Sequence, residues 1–328
     1  MTSALTTAEI AEHLTPHTPE YDALPTTMSP RRMAWRRYWG HKGAAISTII
    51  LTIVMFMAIA TPITARYGIN EQVINIDEGN NVFMPPQDIA WFGTDDIGRD
   101  MYTRLLYGIR TSMFIGIAAA ILAVLIGTIV GAFAGLRGGK FDDLMMRVTD
   151  LFLAFPFLIL IIMIREFLGG IAFLTPIIGD KSSIRFIIVL FAIFGWMGVA
   201  RLVRGQVLAL KEREYIEASR AAGASNFRIV KSHLLPNSIG PILVALTLTV
   251  IGAVVGEATL SFFGFGPQPG QDSTSLGSLI QLSRTAVGRG DWWLTVFPCG
   301  TLVLLAICIN FIGDGLRDAL DPKLDTGK

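Results

Sequence analysis

An all-α membrane protein with six transmembrane helices is predicted by high hydrophobicity, a low share of charged residues and six long apolar runs. Hydrophobic residues make up 52% of the 328-residue chain and charged residues 16%, with a mean hydropathy of +0.54. Soluble domains usually carry about 25% charged residues. The net charge of +1 gives no indication of nucleic-acid binding.

The first apolar run sets the predicted orientation of the chain. Residues 31–42 contain five arginine or lysine residues and directly precede the charge-free run Ala44–Ala65. A helix over that run would be about 33 Å long, enough to cross the hydrocarbon core. Because positive charges before a first span remain in the cytoplasm, the N-terminus is predicted to be cytoplasmic. No apolar signal-peptide region precedes the run, so it is expected to be an uncleaved anchor.

Five further apolar runs complete the predicted bundle and return the C-terminus to the cytoplasm: Thr111–Leu136, Val148–Ile164, Phe186–Val203, Ser238–Gly256 and Trp292–Gly313. The predicted organisation is a disordered tail at 1–30, a basic segment with the first span at 31–66, an extracytoplasmic loop at 67–110, a core with five spans at 111–316, and a cytoplasmic tail at 317–328. Two arginines near the end of the fourth span, Arg201 and Arg204, are expected to extend toward the cytoplasmic boundary.

The second span carries a glycine repeat, Gly127-x-x-x-Gly131-x-x-x-Gly135. Small residues at this spacing allow helices to pack closely in membranes. The repeat is therefore predicted to face another helix of this chain or of a partner.

The segment from Arg204 to Pro236 is the longest polar stretch between two apolar runs, and it predicts two short helices joined by a tight turn. Gly223 can adopt the left-handed conformation that ends a helix, and Ser225 is placed to cap the next one. That second helix, Asn226–Leu235, is predicted to end or kink at Pro236. The first helix is predicted to have an apolar side, formed by Leu208, Tyr215, Ala218 and Ala222. Its charged side is predicted to be formed by Arg213, Glu217 and Arg220.

Small side chains around this turn leave two interpretations open. The segment could be an amphipathic linker on lipid headgroups, or a docking element for a soluble partner.

The segment resembles the EAA loop of permease subunits in ATP-driven, binding-protein-dependent importers. The resemblance rests on Glu217-Ala218-Ser219, on Gly223 after three further residues, and on His233-Leu234-Leu235-Pro236. Ser219 replaces the second alanine of that motif, and His233 replaces an isoleucine. The resemblance implies that ATPase coupling involves Tyr215, Glu217, Ala218, Ser219, Ala222, Gly223, Ala224, Ser225, Leu235 and Pro236.

A second polar block precedes the second span. Its glycines predict a tight turn and its acids beside an arginine predict a solvated, salt-bridged turn, although metal binding by the carboxylates is a weaker alternative. The spacing is not that of a calcium loop. The block resembles the Gly-Thr-Asp-x-x-Gly-Arg-Asp motif of the second permease subunit in dipeptide and oligopeptide importers, through Gly93, Thr94, Asp95, Gly98, Arg99 and Asp100.

A third run, residues 257–266, resembles the motif that closes the fifth span of these permeases. Glu257 and Ser261 are predicted to contribute to the translocation pathway. For Glu257, an interfacial carboxylate at the end of a helix is an equally open interpretation.

The chain is predicted to be a non-catalytic subunit. It lacks the phosphate-binding loop G-x-x-x-x-G-K-[ST], and its apolar runs contain no series of acidic or histidine residues suited to an ion relay. A transporter with neither feature must take its energy from another subunit. An autonomous channel or secondary carrier is the rival hypothesis from a different functional class.

The two cysteines are predicted to be packing residues. Cys299 and Cys308 lie about 13 Å apart if both are on one helix, which is too far for a disulfide.

The resemblance implies a type I importer permease in a bacterial or archaeal plasma membrane, with both termini cytoplasmic. Its expected partners are a second homologous permease, two ATPase subunits, an extracytoplasmic solute-binding protein and the surrounding lipid. No cofactor and no metal are expected on this chain, whereas ATP and Mg²⁺ are expected in the ATPase subunits. The implied cargo is a dipeptide or oligopeptide; a nickel chelate or glutathione is the alternative within the same family.

Overall fold

The computed structural model describes residues 29–74, 82–267 and 274–320, and within these ranges the chain is helical, with isolated β-bridges but no strands. The predicted tail at 1–30 therefore lies almost wholly outside the described residues, as does the end of the predicted C-terminal tail. The helices are α1 Pro30–Gly40, α2 Lys42–Ile59, α3 Thr61–Thr64, α4 Met101–Arg137, α5 Gly139–Leu153, α6 Phe157–Gly169, α7 Thr175–Ile178, α8 Ile184–Lys211, α9 Glu214–Ala221, α10 Asn226–Ile229, α11 Leu235–Phe262, α12 Leu276–Ala286 and α13 Trp293–Leu320.

Five of the six predicted spans correspond to long apolar helices: α2, α4, α8, α11 together with the residues preceding it, and α13. The third predicted span, Val148–Ile164, is wrong as a single helix. It is divided between α5 and α6, whose axes differ by 99°. The break lies at Pro156, which cannot donate a backbone hydrogen bond and restricts the residue before it to an extended conformation.

Several helices extend beyond the apolar runs that predicted them. Helix α4 begins at Met101 rather than Thr111, α8 continues to Lys211, and α13 continues to Leu320. The predicted C-terminal tail therefore begins inside a helix. An apolar run marks only the part of a helix that lipid can cover, whereas the backbone hydrogen bonds of the helix continue into polar residues.

Helix α4 occupies the centre of the bundle, packed along α8 on one side and against α11 on another. The glycine repeat of α4 faces α8, so the prediction that it contacts another helix of this chain is confirmed. A Cβ atom at Gly131 would lie 2.3 Å from the Ala200 carbonyl oxygen, and one at Gly127 would lie 2.6 Å from that of Trp196. The two backbones can approach this closely only because these positions lack side chains.

Replacing Gly131 with alanine is therefore expected to destabilise the bundle by roughly 1–3 kcal/mol, the usual cost of adding atoms to a closely packed interior. Gly300→Ala on α13 is the matched control, since a Cβ atom there meets nothing within 4 Å. The measurement is the thermal unfolding midpoint of the detergent-purified protein. Equal midpoints for the two variants would contradict the close α4–α8 contact.

Candidate functional site

Helices α9 and α10 and the turn between them form a compact structure, termed the knuckle here (residues 214–229). Gly223 has φ = 81°, in the left-handed region, as predicted. The Ser225 hydroxyl accepts a hydrogen bond from the Arg228 amide at 3.4 Å and caps α10, also as predicted. The Ala224 amide donates to the Ser219 carbonyl at 3.0 Å and closes the turn. The knuckle is therefore a defined turn rather than an irregular linker.

The inner face of the knuckle is anchored in the bundle. Ile216 and Ile229 are fully buried and belong to one apolar cluster with Leu136 of α4 and with Val203 and Val207 of α8. The predicted apolar side of the first helix is wrong, because α8 ends at Lys211 and the break before α9 changes the helical phase. The predicted set of Leu208, Tyr215, Ala218 and Ala222 does not form the buried face, and the last three of these residues are exposed.

The outer face of the knuckle has small side chains around the turn and carries two exposed aromatic side chains. Tyr215 is 43% exposed and Phe227 is 64% exposed. A Cβ atom at Gly223 would meet nothing within 4 Å. The sequence analysis did not identify Phe227, because this residue occupies no motif position. A large apolar residue directly after the polar residues that begin α10 could have indicated an exposed contact.

The knuckle joins the fifth span without a break, so its second helix does not end at Pro236 as one of the two predicted outcomes required. A π turn, Val230–Leu234, follows α10, and the Leu235 amide donates to the Val230 carbonyl five residues earlier. This wider turn accommodates the proline ring, which would otherwise collide with the preceding turn. His233, in the π turn, lies beside Tyr215, with ring centroids 6.0 Å apart, and 3.5 Å from the Ser219 hydroxyl.

Residues 82–100 fold over the start of α4 at the opposite end of the bundle and are termed the cap here. Asp95 is fully buried and accepts hydrogen bonds from Arg99 Nε at 2.7 Å, from the Arg99 amide at 2.9 Å and from Arg104 Nη1. Burial lowers the pKa of the Arg99 guanidinium, and the nearby Asp96 carboxylate opposes this shift. The turn is salt-bridged as predicted, but the expectation that it is solvated is wrong for Asp95.

The other motif residues of the cap also have structural partners. Asp100 caps α4 by accepting a hydrogen bond from the Thr103 amide at 2.8 Å. Thr94 accepts one from the Trp293 indole at 3.1 Å through its carbonyl oxygen. Gly93 and Gly98 have φ values of 76° and 78°, as their predicted tight turns require. Among the described residues, no group of three His, Cys, Asp or Glu side chains is placed to hold a metal ion.

Glu257 lies in a buried polar cluster that joins three helices. Its carboxylate accepts hydrogen bonds of 2.7 Å from Ser112 of α4 and from Ser261 of α11. The Ser112 hydroxyl also accepts one from the Leu276 amide at the start of α12. Glu257 is fully buried and lies five residues before the end of α11, so it is an interior side chain of the bundle. The pathway role of Glu257 and Ser261 stays a prediction.

Comparisons with known proteins agree with this geometry. Residues 127–326 match the family described as "Binding-protein-dependent transport system inner membrane component", and residues 29–86 match the N-terminal TM domain of oligopeptide transport permease C. The chain is 39% identical over 298 residues to the dipeptide transport system permease protein DppC of Bacillus subtilis (strain 168), covering 91% of this chain and 87% of that protein. The oligopeptide transport system permease protein OppC of the same organism is 41% identical over 293 residues, covering 89% of each.

The chain belongs to the family of binding-protein-dependent transport system inner membrane components. A chain from solved inward-facing structures of the MetNI methionine ABC transporter aligns with the permease at a TM-score of 0.53 and 24% identity. The match covers 67% of the permease and 98% of that chain, and it confirms the predicted fold.

Two ion pairs join α5 to α8 of the permease shortly before the knuckle. Arg204 contacts both carboxylate oxygens of Asp142 at 2.5 and 2.7 Å, and Arg201 contacts Asp150 at 2.5 Å. Both arginines are therefore held by carboxylates, while their extension toward the cytoplasmic boundary stays a prediction. The pairs hold the bent α5–α6 segment against the helix that leads into the knuckle.

A groove of about 780 Å³ opens between α8, α11 and the end of α13 of the permease. Its walls are mostly glycine and apolar residues, with Gln206, Thr249 and Arg317 as the polar exceptions. Glu257 and Ser261 do not line this groove, since both are buried in their own cluster.

Asp95→Asn in the cap is expected to destabilise the permease by roughly 3–5 kcal/mol, because it leaves the buried Arg104 guanidinium without its counter-charge. Asp96→Asn is the matched control: that side chain is half-exposed and lies 3.6 Å from Arg99. The measurement is the thermal unfolding midpoint, together with protease sensitivity of the cap. A midpoint for Asp95→Asn equal to that of Asp96→Asn would show that the buried pair does not stabilise the cap.

Proposed function

We propose that this chain is the permease subunit of an ATP-driven importer of dipeptides or oligopeptides and that it forms the pathway with a second homologous permease. The observation that carries the proposal is the two-sided knuckle, anchored inside by fully buried Ile216 and Ile229 and open outside. Such a surface can receive a soluble subunit and transmit its movement to the spans. The peptide transport named for relatives at 39–41% identity supports the cargo class.

The proposed mechanism is alternating access driven from the knuckle. Two ATPase subunits, which bind ATP and Mg²⁺, dock on this chain and on its partner permease. Because a bound subunit shifts a conformational equilibrium only by its difference in affinity for the two states, the docking energy must differ between open and closed ATPases. The buried anchors pass this difference to α4 and α8. An extracytoplasmic solute-binding protein delivers the peptide on the opposite side, and this chain itself performs no catalysis.

Gly223→Val is expected to lower peptide-stimulated ATP hydrolysis and ATPase co-purification more than Gly223→Ala. Any Cβ atom at φ = 81° costs on the order of 1 kcal/mol. The branched side chain in addition enlarges a surface that must approach a partner closely.

Glu217→Ala changes an exposed position on the same surface. It is expected to weaken ATPase retention without impairing membrane insertion.

Gly290→Val is the matched control for backbone strain, since Gly290 has φ = 85° and open space around it but lies in the turn before α13, at the cap end. Normal insertion, normal ATPase retention and wild-type transport by Gly223→Val would show that the knuckle is only a linker. Transport by this chain alone in proteoliposomes would instead favour an autonomous channel or carrier.

The proposed orientation places both termini and the knuckle in the cytoplasm and the cap outside the plasma membrane. After alanine replacement of the free Cys299 and Cys308, a cysteine at the exposed Ser225 is expected to react only with reagent supplied from the cytoplasm. A cysteine at Asp96 is expected to react only from outside; Asp95 is unsuitable because it is buried. Labelling of both positions from the same side would contradict the orientation.

A further inference from the structure

Helix α1 presents a single exposed stripe of alternating arginine and tryptophan residues. Arg32, Trp35, Arg36 and Trp39 are all exposed, Trp35 to 66%. Their spacing of three, one and three residues places them on one face of the helix. Residues 29–42 contain no acidic residue, and neither Arg32 nor Arg36 has an ion-pair partner among the described residues.

A neighbouring face of α1, which carries Tyr38, is fixed to the membrane spans. The Tyr38 hydroxyl is 2.5 Å from the Thr48 hydroxyl of α2. A Cβ atom at Gly315 of α13 would lie 3.2 Å from the Tyr38 ring, so this glycine leaves room for the ring. Tyr38 thus holds α1 against two spans, and the described part of the chain leaves all four stripe residues exposed.

The stripe also lies at the boundary of the hydrocarbon layer. Only His41, with an extended backbone at φ = −79° and ψ = 97°, separates α1 from α2. Helix α2 begins at Lys42, and its charge-free run begins two residues later. The chain therefore changes direction at the level where lipid headgroups begin, and α1 remains on the polar side of that level.

We propose that the stripe is a binding surface for anionic lipid headgroups. Arginine forms two parallel hydrogen bonds to a phosphate, and tryptophan is enriched at the headgroup level because one edge of its ring is polar. The alternation places each arginine next to a tryptophan position on the helix surface, so one lipid can be bound by its phosphate and covered by a ring. This surface is independent of the transported cargo.

The charge of the stripe favours anionic lipid over zwitterionic lipid, since basic residues near a membrane surface are attracted by its negative potential. The competing occupant is the segment 1–28 of this chain, which holds Glu9, Glu12, Glu20 and Asp22 and no lysine or arginine. The two tryptophan rings of the stripe favour the bilayer over residues 1–28 as the occupant. Indole rings are better suited to the boundary between water and hydrocarbon than to a segment whose charged groups are separate carboxylates.

The test uses the transporter purified with its partner subunits in nanodiscs that contain phosphatidylcholine and phosphatidylglycerol in equal amounts. Native mass spectrometry measures the ratio of the two lipids retained. Arg32→Gln with Arg36→Gln is expected to lower the retained share of phosphatidylglycerol by about fivefold or more. Arg32→Lys with Arg36→Lys keeps the charge but not the paired hydrogen bonds and is expected to lower it less.

Lys140→Gln with Arg147→Gln is the matched control: it removes two exposed charges from α5, outside the stripe. An unchanged ratio in the Arg32/Arg36 glutamine variant, or an equal fall in the control, would overturn the proposal. A photoreactive benzoylphenylalanine at position 39 provides the second readout. Its attachment to lipid supports the proposal, whereas attachment to residues 1–28 or to another subunit refutes it.

Discussion

The close contact between the backbones of α4 and α8 is the constraint on which the other parts of the permease depend. In a bilayer, the contact between helices gains little from the hydrophobic effect, so tight packing must stabilise it. The glycine repeat of α4 provides that packing, with Gly131 directly against the backbone of Ala200. Because α4 begins under the cap and ends beside the buried anchors of the knuckle, this contact places both ends of the bundle in one framework.

Three buried carboxylates of this framework have specific partners. Asp95 is paired with two arginines, Glu257 accepts two serine hydroxyls, and Asp142 is paired with Arg204. Two of these contacts, Ser112 with Glu257 and Asp142 with Arg204, join helices that are far apart in sequence. In an environment with little water, such groups are costly unless they are paired, so each one specifies which neighbours a helix must have.

Much of this organisation could be predicted from sequence because it depends on local chemistry. The left-handed glycine at 223, the cap at Ser225 and the tight turns at Gly93 and Gly98 are set by backbone preferences that act within a few residues. The features that were not predicted have a different origin. The division of the third span, the burial of Asp95 and the partners of Arg201 and Arg204 depend on which distant segment lies nearby, and a single apolar run or charge pattern does not contain that information.

The π turn before Pro236 has a mechanical consequence for the permease. Because it lets α10 run into α11, residues 226–262 form one helical rod of about 55 Å. If a helix of that length moves as one body, a tilt of about 5° at one end moves the other by about 5 Å. Its far end holds Glu257 and Ser261, where α4 and α12 meet it. A break at Pro236 would separate the knuckle from the fifth span, whereas the continuous helix connects the knuckle to the opposite side of the membrane.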